Sequence, residues 1–248
     1  MIFCVIFLFL TNFCPEKENE SILRIAKQYI GTPYVANTLE VPEEEHLIIN
    51  PEEVDCTTFV EYVLAEYLAS DSASFEDKLQ SLRYREQIQG YASRLHYFSE
   101  WVQQAINNNY LMDITKKYSS FSEPLNLHFM STHSNAYEQL KNGGMKMIDE
   151  IKQIEKRLSG EDVYYLPKKH IPNEGLDWIA SGDIIALTTS IEGLDVRHLG
   201  FAIYVDGEFR LLDASSVKKE VIIDSLSLKN SLIKNKNNKG IRVFRVQR

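Results

Sequence analysis

The segment Asp55-Cys56-Thr57-Thr58-Phe59-Val60-Glu61 puts a thiol where a helix is predicted to begin. Phe59, Val60, Val63, Leu64, Tyr67 and Leu68 recur at helical spacing between Cys56 and Ala69, no Gly or Pro interrupts them, and Asp55 stands in the N-cap position. The start of a helix carries partial positive charge, which favours thiolate over thiol and makes the sulfur a better nucleophile. Its unpaired N–H groups also suit the oxyanion formed when a carbonyl is attacked. Such a nucleophile needs a base that later serves as acid for a leaving amine, and histidine titrates in the right range for both. Of the six histidines, His198 opens a predicted strand running to Val205, so its ring would emerge at a sheet end. Asp206-Gly207 follows that strand and is a strong signal for a two-residue hairpin turn. With that turn, His198 falls opposite Ser215, and Asp213 becomes its diagonal neighbour on the same face. Asp213 is therefore the expected orienter of His198, with Ser215 as the alternative.

The elements that must hold these groups follow from periodicity and turn residues. Ile22, Ile25, Ala26 and Tyr29 mark an amphipathic helix from Ser21 to Ile30, ended by Gly31-Thr32-Pro33. A loop containing Pro42 and Pro51 leads to the Cys56 helix. Residues 75–88, 98–107 and 136–158 read as helical, the last interrupted by Gly143-Gly144. Strand character dominates after Ser181, in runs 184–187, 198–205, 208–212, 221–223 and 241–246. Helices first and a mostly antiparallel sheet afterwards make an α+β pattern. A single domain over residues 15–248 is expected, with a largely helical insertion at about 71–170.

Composition narrows the partners. Hydrophobic residues make up 44% and charged residues 25% of the 248, which is ordinary for a globular chain. The formal charge of −8 lacks the electrostatic footprint of nucleic-acid binding. No His/Cys/Asp/Glu grouping has metal-ligand spacing and no Gly-rich phosphate loop occurs, so no metal or cofactor is expected. Residues 2–10 are nearly all apolar, too short to span a bilayer but of the length of a signal-peptide core, although no basic residue precedes them. Residues 1–14 read as a leader and 15–20 as a polar linker, which implies an exported protein, periplasmic or extracellular. A buried N-terminal strand and a lipid-bearing Cys14 are the competing readings. With the leader removed near Cys14, Cys56 would be the only cysteine left, or one of two, and an unpaired thiol is unusual in an exported protein.

Four motifs in order, Gly31-Thr32-Pro33-Tyr34, Asp55-Cys56-Thr57-Thr58-Phe59-Val60-Glu61, His198-Leu199-Gly200 and Leu212-Asp213-Ala214-Ser215-Ser216, resemble those of the NlpC-type papain-like cell-wall hydrolases. The segments Gly90-Tyr91-Ala92-Ser93-Arg94-Leu95-His96-Tyr97-Phe98, Phe129-Met130-Ser131-Thr132-His133, Tyr164-Leu166-Pro167 and Gly182-Asp183-Ile184-Ile185 are similar to one branch, the N-acetylmuramoyl-L-alanine amidase-like family. The resemblance runs from about residue 21 to the C terminus. It implies a papain-like core in which the Cys-bearing helix packs on the sheet. It also implies hydrolysis of the amide between the lactyl group of N-acetylmuramic acid and L-alanine, with preference for small released muropeptides, anhydro forms included. Asp213 departs from the histidine that often fills the third slot of that superfamily. The resemblance further implies a role for the Tyr34 phenol beside the substrate carbonyl, with core packing as the alternative. Asp55 would contact substrate or cap its helix, and Tyr91, Arg94 and His96 would bind a sugar–peptide ligand or pack within the insertion. His133 is expected to be structural. The alternatives are an endopeptidase cutting γ-D-glutamyl–diamino-acid bonds and a muropeptide-binding module without catalysis. A monomer is expected.

Overall fold

The computed structural model describes residues 15–41 and 44–247, so the leader expected at 1–14, with Cys4 and Cys14, lies outside the described residues. Helix α1 (Pro15–Gln28) begins earlier than expected. Residues 15–20, read as a linker, continue it, because Glu and Lys are good helix formers and Pro is tolerated in a first turn. Helix α2 (Cys56–Leu68) follows a long loop, and α3 (Phe75–Arg83) follows α2.

The expected insertion contains α4 (Phe98–Asn107), α5 (Thr115–Tyr118), α6 (Phe129–Thr132) and α7 (Glu138–Leu158). Helix α7 is kinked at Gly144, whose φ of 63° only glycine adopts readily. Four short strands also lie in this region: β1 (Leu111–Asp113), β2 (Ser122–Pro124), β3 (Asp162–Tyr164) and β4 (Leu166–Pro167). Strands β2 and β3 pair with each other, whereas β1 and β4 join the main sheet.

That sheet is completed by β5 (Ile184–Thr189), β6 (Val196–Val205), β7 (Glu208–Ser215), β8 (Glu220–Ile223) and β9 (Asn238–Val246), with α8 (Leu228–Lys234) between the last two. The order is β1-β9-β5-β6-β7-β8, with β4 also on β9, and every pair is antiparallel. The protein is thus a mixed α+β fold built on an antiparallel sheet, with helices packed against it. Among the described residues no helix is long and apolar enough to cross a membrane.

Each face of the sheet buries its own core. On one side, α1 and α2 bring Ile22, Phe59, Val63 and Leu64 against Leu199, Phe201, Leu212 and Phe244. Phe59 meets Phe201 edge-on at 5.6 Å and Tyr29 at 5.8 Å, which fixes α2 against β6. On the other side Ile171, Ile179, Leu228 and Leu232 cover Ile185, Ala202, Leu211 and Val243. A third cluster, around Tyr91, Tyr97, Leu140 and Ile151, is the core of the insertion itself.

The β6–β7 hairpin has the register that the two-residue turn implies. Asp206 and Gly207 have φ of 51° and 76°, and pairing runs from Val205↔Glu208 to Phe201↔Leu212. Beyond that point the strands pair with different neighbours. His198, Leu199 and Gly200 stay on β5, whereas Asp213 to Ser215 stay on β8. Leu187 pairs with His198 and Thr188 with Val196, so Arg197 is an extra, bulged residue on β6 just before His198.

Candidate active site

Cys56 is the first residue of α2 and is half-buried. Asp55 caps this helix: its Oδ1 accepts from the N–H of Thr57 at 3.0 Å and of Thr58 at 2.8 Å, while Thr58 Oγ1 accepts from the Asp55 N–H at 2.9 Å. This closes a capping box and uses two of the amides at the helix start. The Phe59 N–H bonds the Asp55 carbonyl. The Cys56 N–H is therefore the first-turn amide that remains for a ligand, beside its own sulfur.

His198 lies where β6 and β7 part company. Its Nε2 is 2.6 Å from Asp213 Oδ2, and the Asp213 side chain is 8% exposed. The Cys56 side chain is the other hydrogen-bond partner of this ring. Burial works against charge on this ring and is the largest single influence. The interactions with the Cys56 sulfur and with the Asp213 carboxylate together outweigh it and push the pKa up to about 10. The imidazole is thus held as the cation, facing Cys56 on one side and a carboxylate on the other. Ser215, the alternative orienter, instead accepts the Lys218 N–H at the β7–β8 turn.

Gly200 permits this approach. A Cβ there would sit 2.9 Å from Asp213 Cβ and 2.8 Å from both the Leu212 carbonyl and the Leu211 side chain. No side chain fits that gap without moving the strand that carries Asp213.

Tyr34 reaches the same place from the N-terminal side. The Gly31 N–H bonds the Val221 carbonyl, the Tyr34 N–H bonds the Lys219 carbonyl, and the Val54 N–H bonds the Pro33 carbonyl. The turn after α1 is thereby sewn to the edge of β8 and to the residue before the cap. Burial first, then the charges of Cys56 and Asp55, push the Tyr34 phenol up to about 12, so it stays protonated and able to donate. Lys219 Nζ stands over the Tyr34 ring at 5.5 Å.

Tyr91, Arg94 and His96 are engaged within the protein. Arg94 is 5% exposed, pairs with Glu40 and Glu45, and donates to the Leu39 carbonyl at 2.6 Å. The Tyr91 hydroxyl donates to Glu40 at 3.4 Å, and its ring lies 4.8 Å below the guanidinium. His96 Nε2 bonds the Tyr91 carbonyl at 2.7 Å. Burial, then the Arg94 charge, pulls the His96 pKa down to about 3, so it stays neutral. These groups fasten the loop between Tyr34 and Val54 to the insertion. Of the two readings made for these residues, the contacts are those of packing within the insertion; their partners Glu40 and Glu45 lie about fifty residues before Arg94 and give no local sign in sequence. His133 is tied to its own helix through the Phe129 carbonyl at 2.8 Å.

Two concavities stand out. One, of about 880 Å³, lies between residues 85–93 and α7, and neither Cys56 nor His198 lines it. The other, of about 450 Å³, opens beside His198 and Asp213. Chemically, the centre offers a thiol with its acid–base partner, a carboxylate that orients that partner, and two donors, the Cys56 N–H and the Tyr34 hydroxyl. That set suits acyl transfer from an amide.

Residues 24–241 match the family model described as N-acetylmuramoyl-L-alanine amidase-like. The chain is similar to the solved structure of an N-acetylmuramoyl-L-alanine amidase from Bacteroides uniformis, with 44% identity over 94% of this chain and 100% of that one, and a TM-score of 0.90. It is also similar to a Bacteroides fragilis protein described as a candidate xylanase, with 46% identity over 90% and 99% of the two chains and a TM-score of 0.86. A Legionella pneumophila protein at 24% identity shares the fold over 93% of this chain and 89% of its own, with a TM-score of 0.73. Nothing among curated proteins matches the chain.

Proposed function

The chain belongs to the N-acetylmuramoyl-L-alanine amidase-like family, and from that premise we propose that it is a cysteine amidase. Its substrate would be the amide between the lactyl carbonyl of N-acetylmuramic acid and L-alanine in released peptidoglycan fragments. The observation that carries the mechanism is the line Cys56–His198–Asp213, with Nε2 of the histidine bound at 2.6 Å to the carboxylate.

In this reading His198 Nδ1 holds the proton taken from Cys56, and the thiolate attacks the lactyl carbonyl. The oxyanion receives hydrogen bonds from the Cys56 N–H and the Tyr34 hydroxyl. The imidazolium then protonates the nitrogen of L-alanine, the C–N bond breaks, and the peptide leaves. Water, deprotonated by His198, hydrolyses the thioester and releases the muramic acid carboxylate. A papain-like core is the matching fold proposal: the nucleophile starts a helix, the base lies two places after the start of a strand, and the orienter sits on the next strand.

Glycoside hydrolysis, the activity attached to the Bacteroides fragilis relative, calls for two carboxyl groups flanking the scissile bond. The carboxylates of this centre are engaged otherwise, Asp55 in the helix cap and Asp213 on His198. We further propose export across the cytoplasmic membrane, on the apolar run at residues 2–10. N-terminal sequencing of the native protein tests this, and an intact Met1 on cytosolic material would refute it.

The decisive experiment is mass spectrometry of defined muropeptides after incubation with the wild type and with Cys56→Ala. Free N-acetylmuramic acid (or its anhydro form) and an intact peptide beginning with L-alanine are the expected products. The alanine variant is expected to be inactive and equally well folded. Cleavage between D-glutamate and the diamino acid would replace the amidase with an endopeptidase, and full activity in Cys56→Ala would overturn the cysteine mechanism.

A further inference from the structure

Lys219 meets Tyr34 twice. Its carbonyl accepts the Tyr34 N–H at 2.9 Å, and its ammonium stands 5.5 Å from the centre of the Tyr34 ring. The backbone that allows this is strained. Lys219 has φ of 66°, in the left-handed region that a side chain disfavours and glycine enters freely. The β7–β8 turn holds it there: the Ser215 carbonyl accepts the Lys219 N–H at 2.8 Å, and the Ser215 hydroxyl accepts the Lys218 N–H at 3.2 Å. Glycine would make the same backbone bonds without the strain, so the turn by itself does not account for a lysine. An ion pair does not account for it either. Among the described residues the lysines that pair with a carboxylate are Lys152 and Lys239. What the Lys219 side chain touches is the face of the phenol beside Cys56. Asp55 and Cys56 act on that phenol in the opposite sense, making its proton harder to share.

We propose that Lys219 is a positioning residue for Tyr34, clamping the phenol beside Cys56 and holding its ring most tightly when the hydroxyl donates to the oxyanion. The inference rests on the amidase reading of this site and deepens it. A cation is drawn to the electron density on an aromatic face. As the Tyr34 hydroxyl shares its proton with an oxyanion, the phenol oxygen gains electron density and passes part of it to the ring. The attraction to Lys219 therefore grows between bound substrate and tetrahedral intermediate. An interaction that strengthens along the reaction lowers the barrier rather than only tightening binding.

The test uses N-acetylmuramoyl-L-alanyl-D-glutamate as substrate. Lys219→Met keeps the side-chain length and removes the charge. An exposed contact of this kind is worth about 2- to 5-fold, so kcat should fall by about that factor with KM little changed. The wild-type advantage should shrink in high salt. Lys219→Arg keeps a cation and should restore most of the loss. Lys219→Gly relieves the backbone as well, so it should lose kcat while melting at or above the wild-type temperature, which a role in stability alone does not produce. In Tyr34→Phe, where no hydroxyl donates, Lys219→Met should bring no further loss of kcat. An equal loss in that background overturns the role, as does unchanged kcat. A loss confined to KM overturns it too and makes Lys219 a substrate contact. A wild type that cleaves no muramoyl amide overturns the amidase instead. The clamp is then read without turnover, from the Tyr34 resonance of ¹³C-tyrosine-labelled protein, identified by its disappearance in Tyr34→Phe. That resonance should move in Lys219→Met, and an unmoved one overturns the clamp.

Discussion

Removing the Asp213 carboxylate separates its orienting role from its electrostatic one. The Asp213–His198 contact is a buried, charge-assisted hydrogen bond at 2.6 Å, of a kind worth about 1.5–3 kcal/mol. At 1.36 kcal/mol per decade, that is roughly 10- to 150-fold in kcat for Asp213→Ala. Asp213→Asn keeps an acceptor for Nε2–H and should fall between the wild type and Asp213→Ala. The pH dependence carries a sign. His198 has a pKa raised to about 10, so the charge it offers to the Asp213 carboxylate is present below that value and is lost as pH rises through it. Without Asp213 the raised pKa comes down, and the basic limb of the kcat profile moves to lower pH. The same move should appear in the pH dependence of Cys56 alkylation by iodoacetamide, which needs no substrate. Asp213→Ala with kcat within twofold of the wild type and an unmoved basic limb would refute the assignment.

Two further substitutions probe the supports of the site. Gly200→Ala places a methyl within 2.9 Å of Asp213 Cβ and within 2.8 Å of the β7 backbone. It should destabilise by about 1–3 kcal/mol and lower kcat along with it. A variant as stable and active as the wild type would show that the gap closes without strain. Asp55→Ala removes the cap of α2 and should cost about 1 kcal/mol in chemical denaturation, with KM little changed. A large rise in KM at unchanged stability would instead make Asp55 a substrate contact.

How much of this was legible in the sequence depended on the range of the interactions. The Cys56 helix was readable because its cap, its periodicity and its uninterrupted run are local. So was the β6–β7 register, because Asp206-Gly207 sets it within two residues. The start of α1 was missed because charged good helix formers resemble a linker until the rest of the helix docks. Strands β1 and β4 are two or three residues long and exist only because β9 offers them an edge. Arg94 illustrates the limit at the site. A sequence shows an arginine among aromatics, which suits a ligand carboxylate as well as the protein's own, and only the fold brings Glu40 and Glu45 to it. That the Cys56 N–H alone remains for a ligand was likewise unreadable until the capping box was seen closed on both sides.

The place of β9 has a consequence for when the site comes into being during synthesis. Among the described strands this one comes last in sequence, yet it lies inside the sheet, between β1 and β5. The thiol helix leaves the ribosome more than half a chain before His198, and β5, the partner that holds His198 in line, is flanked on its far side by β9. A nascent or truncated chain lacking residues 238–246 would carry the thiol, the imidazole and the carboxylate without the strand that completes their scaffold. Such a chain is expected to be inactive, and the non-local pairings of β9 place its docking among the slow steps of folding.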